Sequence, residues 1–318
     1  MSADAAQDRS LVGRSEVEAA ATVIDGVVRR TPMMTPGPDF HDGPGDIVLK
    51  LELLQHTGSF KPRGALHRAL TSEIPDSGLI AASGGNHGLA VAWVGRHLGV
   101  PAEIFVPEVS PPAKVAKLHE LGATVNVVGA LYDDALAACR SRQAETGALD
   151  IHAYDHLDTI AGAGTIAREI DEQSGGVDTV LVSLGGGGLA SGIAAWCGTD
   201  TRVVTVEPET SNCFAAAVGA GEPVDVSVTG VAADSLGARR IGSTNWRTLQ
   251  AAEARPVTVS DDAIRTAQRR LWKQLQLVAE PGGATAAAAL WSGAYVPAAD
   301  ERVAVIVCGA NCNPADVV

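Results

Sequence analysis

The chain has 318 residues, with 24 Lys+Arg against 37 Asp+Glu for a formal net charge of −13, and only 4% of its residues are aromatic. A surface of that sign repels phosphate backbones and anionic headgroups, and so few rings leave little for bases to stack on, so neither nucleic-acid nor membrane-surface binding is expected. With 46% hydrophobic residues and 35 glycines, the composition is that of a globular α/β protein of about two lobes, not a disordered or fibrous chain.

The opening residues, MSADAAQDRS, carry acids and no apolar h-region, so no export signal is expected there. Ser15 and Glu18 have the spacing of a capping box, and Val17, Ala20, Ala21, Ile24, Val27 and Val28 recur at helical intervals, which predicts a helix over 15–30 ended by Thr31-Pro32. Short aliphatic runs follow at 47–51, 79–82, 104–106, 125–128, 180–184, 203–206 and 303–307, each leading into Gly, Ser or Pro and then a helical stretch. Strands alternating with helices predict parallel sheets covered on both faces. The runs divide into a small lobe over 77–152 and a large lobe from 1–76 with 153–318, sharing a cleft. The stretch from Ser211 to Arg255 yields no assignment. No run reaches the ~20 apolar residues of a membrane span, and five scattered cysteines without a C-x-x-C pair point to a reducing cytoplasm and away from zinc or a disulfide framework.

Three glycine-marked loops carry chemistry. Strand 180–184 runs into Gly185-Gly186-Gly187-Gly188-Leu189 and an Ala-rich helix, a junction where bare N–H groups and a helix N-terminus form a phosphate site. A plain tight turn is the simpler reading, yet it needs only one or two glycines. Gly185, Gly187 and Ala190 also match G-x-G-x-x-A, and Glu207 at the end of the next strand stands where a dinucleotide fold places its ribose acid; a nicotinamide dehydrogenase stays open on these residues alone. The second loop, Thr57-Gly58-Ser59-Phe60-Lys61-Pro62-Arg63-Gly64, sets a lysine beside a ring at a helix start. Lysines are most often solvated, but one held in a dry site becomes a Schiff-base nucleophile and proton carrier. In the third, Ser83-Gly84-Gly85-Asn86-His87-Gly88, hydroxyl, amide and N–H groups converge as they would to hold a carboxylate, although Ser83 or Asn86 could equally be a simple cap.

Together with Ala161-Gly162-Ala163-Gly164-Thr165 and Glu280-Pro281-Gly282-Gly283-Ala284, these strings resemble, in order and over nearly the whole chain, the fold-type II pyridoxal-phosphate enzymes, specifically the serine/threonine dehydratases (threonine ammonia-lyases). The dehydrogenase reading leaves the Lys61 and Asn86 loops unexplained. The resemblance implies a tryptophan synthase β-like α/β fold of two open parallel-sheet lobes with the cofactor in the cleft, and elimination of the β-hydroxyl of L-serine or L-threonine to a 2-oxo acid and ammonia. It implies Lys61 as the cofactor-bearing lysine and proton carrier, Phe60 against the cofactor ring and Asn86 on its phenolic oxygen. Gly185, Gly186, Gly187, Gly188 and Leu189 are then its phosphate site, with Gly230 and Glu280 nearby and Cys308 facing the pyridine nitrogen. Ser83, Asn86 and His87 are left to the substrate carboxylate.

A neutral thiol at Cys308, otherwise readable as a small buried hydrophobe, would make the cofactor a weaker electron sink and favour elimination over transamination. Where serine racemases of the family carry a second serine this chain has Gly84, so little racemisation is expected; racemisation and β-replacement remain the alternatives within the fold. The family's cation loop starts at Glu207, but Cys213 stands where divalent-binding members have an acid, which disfavours Mg²⁺ or Ca²⁺ and leaves a monovalent ion on Glu207 and carbonyls near Ser211. His152 and His156 lack a third metal ligand. The sequence stops just after its last strand, so inhibition by isoleucine is not expected, and the family implies a homodimer acting on a small amino acid.

Overall fold

The computed structural model describes residues 11–317, so the segment 1–10 read above lies outside the described residues. Helix α1 (Arg14–Ile24) is followed by strands β1 (Met33–Met34) and β2 (Asp46–Lys50) and helix α2 (Lys61–Leu70). Next come β3 (Leu79–Ala82), α3 (Asn86–Leu98), β4 (Ala102–Val106), α4 (Pro112–Glu120), β5 (Thr124–Val127), α5 (Tyr132–Thr146) and β6 (Leu149–Asp150). Helix α6 (Leu157–Ser174) then leads to β7 (Thr179–Ser183), α7 (Gly188–Cys197), β8 (Arg202–Pro208), α8 (Cys213–Ala220), the single turn α9 (Ala233–Leu236) and α10 (Ser243–Ala251). The chain finishes with β9 (Arg255–Val259), α11 (Asp261–Leu275), α12 (Pro281–Ser292) and β10 (Arg302–Ile306).

Two sheets result. Strands β3–β6 form one in the order β5-β4-β3-β6, parallel throughout. The other has the order β1-β2-β10-β7-β8-β9 and is parallel except where β1 runs against β2. Its central strands are covered on both faces, so neighbouring residues enter different cores: Val180 and Val182 pack with α7 and α10, whereas Leu181 packs with α11 and α12. Each predicted strand is present within two residues. The three that were missed offered too little pattern: β1 and β6 are two residues long, and β9, an edge strand, carries Pro256, which a central strand would not tolerate.

The first helix differs from its prediction. Its cap is Gly13, whose N–H donates to the Glu16 carboxylate at 3.0 Å, while Ser15 lies inside the first turn. Glu18 is drawn away to Arg168, Oε2 to Nε 2.9 Å. The helix stops at Ile24, short of residue 30, and Gly26 turns the chain with φ +71°.

Helix α6 explains the Ala161–Thr165 string. A Cβ on Gly162 would lie 2.5 Å from the Arg63 carbonyl oxygen of α2, and one on Gly164 would lie 2.7 Å from the Gly192 oxygen of α7. The bare backbone of α6 therefore lets the Lys61 helix and the helix behind the glycine tetrad close onto it. A buried ion network locks the same junction. The guanidinium of Arg63, with no exposed surface, donates to Glu52 at 2.8 and 2.9 Å and to Glu169 at 2.7 and 2.9 Å, and Lys50 Nζ donates to Glu169 at 2.6 Å. Two cations and two carboxylates, each satisfied, hold the start of α2 in place two residues from Lys61.

Candidate active site

The ends of β3, β7 and β10 open onto one cleft, where open parallel sheets place their ligands. Lys61, at the first position of α2, is held from the β10 side: Phe60 N–H donates to the Cys308 carbonyl at 3.1 Å, and Ala310 N–H to that of Gly58 at 2.9 Å. The Lys61 ammonium lies 5.0 Å from the centre of the Phe60 ring and donates to the Ala153 carbonyl at 2.8 Å. Across from it stand the four glycines. Gly187 has φ +103°, and a Cβ on Gly186 would meet the Tyr154 ring at 2.5 Å. The turn is a concave backbone surface that no residue with a side chain can form. Lys61, Phe60, Asn86, Gly185–Gly188, Leu189, Glu280 and Cys308 all line this cleft of about 470 Å³.

The carboxylate loop borders the same space. Ser83 Oγ accepts the Gly85 N–H at 3.2 Å, and the first turn of α3 presents N–H groups that have no intrahelical partner. Asn86 is fixed by Glu280, its Nδ2 to Oε1 2.5 Å, and by Asn311, whose Nδ2 donates to Asn86 Oδ1 at 2.7 Å. His87 is buried, with Nε2 against the Ile151 carbonyl at 2.5 Å.

Electrostatics follow from burial. The Lys61 amine is brought from 10.5 down to about 8, chiefly because the cleft strips its ammonium of water, against the opposing pull of Cys308 and Glu280. Burial, with Lys61 adding to it, lowers His87 to about 3, so its ring is neutral. Burial raises Glu280 to about 7 and the Cys308 thiol to about 12, which leaves the thiol protonated.

Three expected residues sit elsewhere or act otherwise. Gly230 is exposed and does not line the cleft; its φ of +84° serves a turn packed on Thr210 and Asp261, where a Cβ would come within 2.3 Å of Thr210 Oγ1. Both carboxylate oxygens of Glu207 accept helix-end N–H groups, from Phe214 and Ala215 at 2.8 Å each. They cap α8, so they are not free for the ribose of the dinucleotide reading, and an ion would have to displace them. Ser211 Oγ donates to the Leu236 carbonyl at 2.8 Å, and among the described residues no three His, Cys, Asp or Glu side chains cluster to hold a metal. Conversely, Tyr154, Ser183, Ser235 and Gly282 line the cleft unforeseen. Tyr154 lay between two histidines read as loop, and Ser235 in the unassigned stretch. Asn311, which orients Asn86, was likewise unforeseen, three residues past Cys308.

Residues 24–309 match the family of pyridoxal-phosphate dependent enzymes. The chain belongs to that family. It is 36% identical over 294 residues to the phenylserine dehydratase of Ralstonia pickettii, covering 91% of this chain and 90% of that one. With the biosynthetic L-threonine dehydratase IlvA of Escherichia coli it shares 38% identity over 275 residues, 84% of this chain but only 53% of that protein, so it spans about half of that relative. The crystal structure of a threonine deaminase from T.th. superposes with a TM-score of 0.88 at 33% identity, covering 95% of this chain and 99% of the other. The fold is that of the fold-type II enzymes, as the motifs implied.

The residues present fit pyridoxal phosphate. The glycine turn packs so closely on Tyr154, Leu236 and Asn245 that a Cβ would collide with them, which leaves bare backbone facing the cleft as a phosphate site needs; Lys61 carries an amine already depressed toward nucleophilic pH, and a ring and a neutral thiol line the same space. Among the described residues no helix is long and apolar enough to cross a membrane.

Proposed function

We propose that this chain is a lyase that eliminates the β-hydroxyl of L-serine, L-threonine or a related β-hydroxy-α-amino acid, yielding a 2-oxo acid and ammonia. The observation that carries the reading is the meeting, in one cleft, of a desolvated lysine, the start of α3 at Asn86 and a neutral thiol. Bound pyridoxal phosphate supplies the electron sink that makes the α-proton removable. The chain's own groups do the rest. The glycine turn binds phosphate, Ser83, Asn86 and His87 orient the substrate carboxylate through side chain and backbone, and the Lys61 amine, unprotonated in a useful fraction near neutrality, takes the Cα proton. Asn86 acts as an oriented amide because Glu280 and Asn311 fix both of its ends. Cys308, protonated and uncharged, would leave the bound cofactor a modest electron sink, which favours elimination over transamination.

In this reading the small lobe over 77–152 moves against the rest to admit substrate, a motion compatible with its separate sheet. The enzyme acts as a homodimer in the cytoplasm, which the five unpaired cysteines support. Racemisation is minor, because Gly84 offers no hydroxyl to the face opposite Lys61.

An absorption spectrum of the purified protein, borohydride reduction with peptide mapping, and 2-oxo acid assays on L-serine and L-threonine test the proposal. A yellow cofactor fixed to Lys61 and release of pyruvate or 2-oxobutyrate are expected. A protein left colourless by pyridoxal phosphate, or a coloured one that yields only D-serine, would overturn it. The second result would direct attention to Ser110, whose Oγ lies 3.2 Å from the position of a Cβ on residue 84.

A further inference from the structure

Beyond the cofactor cleft the structure holds a second, wider cavity that opens to solvent, about 990 Å³ with the solvent space at its mouth included. The two are continuous, since Asn86, Ser235 and Glu280 line both. The carboxylate loop borders it at Gly84 and Gly85, and its walls combine Leu89, Pro111, Ala113 and Cys312 with Lys114, Lys117, Asn311 and Asn313. For a substrate held in this site three directions at Cα are taken: the carboxylate by the start of α3, the nitrogen and the departing proton by the Lys61 side. This cavity, bordering that space, is the open volume left for Cβ and whatever it carries.

The wall surface is largely carbon, and one of its two lysines is already paired. Lys114, on α4 of the small lobe, is ion-paired with Asp234 of α9 across the cavity. A second carboxylate on the substrate would meet Asp234 and Glu280 on the same surface, and Lys114 would have to abandon its partner to receive it. Lys117 supplies the remaining positive charge from an exposed position, where water screens it. A methyl group, at the other extreme, would leave nearly the whole cavity to solvent.

Resting on the β-elimination reading above, we infer that this cavity receives the β-substituent of the substrate and selects an uncharged, bulky one, an aryl group on the hydroxyl-bearing carbon, over a methyl or a carboxylate. The overall change is balanced without oxidant or reductant. The Cα–H and Cβ–OH bonds break, a Cα=Cβ bond forms and water departs; the enamine released becomes an imine, and one water hydrolyses it to the 2-oxo acid and ammonia. For L-phenylserine the products are phenylpyruvate and ammonia.

The test uses the holoenzyme with L-phenylserine, L-threonine and L-threo-3-hydroxyaspartate, following 2-oxo acid and ammonia together. The expected kcat/KM is at least tenfold higher for L-phenylserine than for either of the others. L-phenylalanine, which lacks the hydroxyl, is expected to bind at least tenfold more tightly than L-alanine, read from the change in cofactor absorbance. Ala113→Phe, which crowds the cavity from the first turn of α4, is expected to lower kcat/KM for phenylserine at least fivefold more than kcat/KM for threonine. Asp234→Asn, which frees Lys114, is expected to raise kcat/KM for hydroxyaspartate several-fold. If threonine or hydroxyaspartate is preferred, or Ala113→Phe lowers all three substrates alike, this inference fails and the elimination reading stands. If a cofactor-loaded enzyme releases 2-oxo acid from none of the three, the elimination reading itself fails.

Discussion

Replacing Arg63 by methionine removes a guanidinium with no solvent contact from between two carboxylates, Glu52 with no exposed side chain and Glu169 with 11% exposed. Four charge-assisted hydrogen bonds of 2.7–2.9 Å disappear together. Methionine is close enough in volume that a cavity contributes little, so the cost is that of two buried carboxylates, Glu169 left to Lys50 and Glu52 to the Thr31 hydroxyl. Breaking a buried ion pair this way costs about 3–5 kcal/mol, against a total stability on the order of 5–15 kcal/mol. Arg63→Lys keeps one charge but not the planar fork that reaches both acids, and is expected to recover about half of the loss. Urea unfolding of the holoenzyme, followed by circular dichroism, measures both. The pH dependence adds a second readout. Burial alone would raise the Glu169 carboxyl, but Arg63 and then Lys50 hold it below its ordinary value. That contribution is present above the ordinary carboxylate range and is lost as pH falls through the lowered value, so removing Arg63 flattens the acid limb of the stability profile. A loss under about 1 kcal/mol, the worth of a solvated surface pair, with an unchanged acid limb would refute the reasoning.

Other perturbations probe the cleft. Gly187→Ala forces a side chain to φ +103° with its Cβ 2.7 Å from that of Asn245; strain of about 1–3 kcal/mol is expected to weaken cofactor binding by about 5–150-fold in spectral titration of the apoenzyme, and unaltered affinity would contradict the cradle. With the Lys61 amine near 8, the rate at which apoenzyme bonds pyridoxal phosphate is expected to rise with pH and reach half its plateau near that value; a midpoint near 10 would mean that the cleft does not desolvate the amine. Because both Glu207 oxygens cap α8, exchanging K⁺ for tetramethylammonium should change kcat by less than twofold, and a large fall would show that an ion displaces the cap.

Local chemistry in the sequence determined a good deal. Aliphatic runs punctuated by Gly, Ser or Pro located the principal strands, because a buried parallel strand is apolar on both faces and turns sharply into its helix. Read together and in order, the Lys61, Asn86 and glycine-tetrad strings carried the family resemblance that implied the cofactor cleft, whereas each loop alone left a simpler reading open. Tertiary structure decided the rest. Only folding places β2 beside β10, separated by some 250 residues of chain, and so joins the Lys61 loop to Cys308. It alone put Tyr154 on the glycine turn and moved Gly230 away to an outer turn. It also converted Glu207 from a candidate ligand into a helix cap, because the N–H groups of Phe214 and Ala215 lie within reach of its carboxylate. Residue type sets what a side chain is able to do. Which partner claims it is a matter of distance, and distances between remote segments exist only once the sheets have assembled.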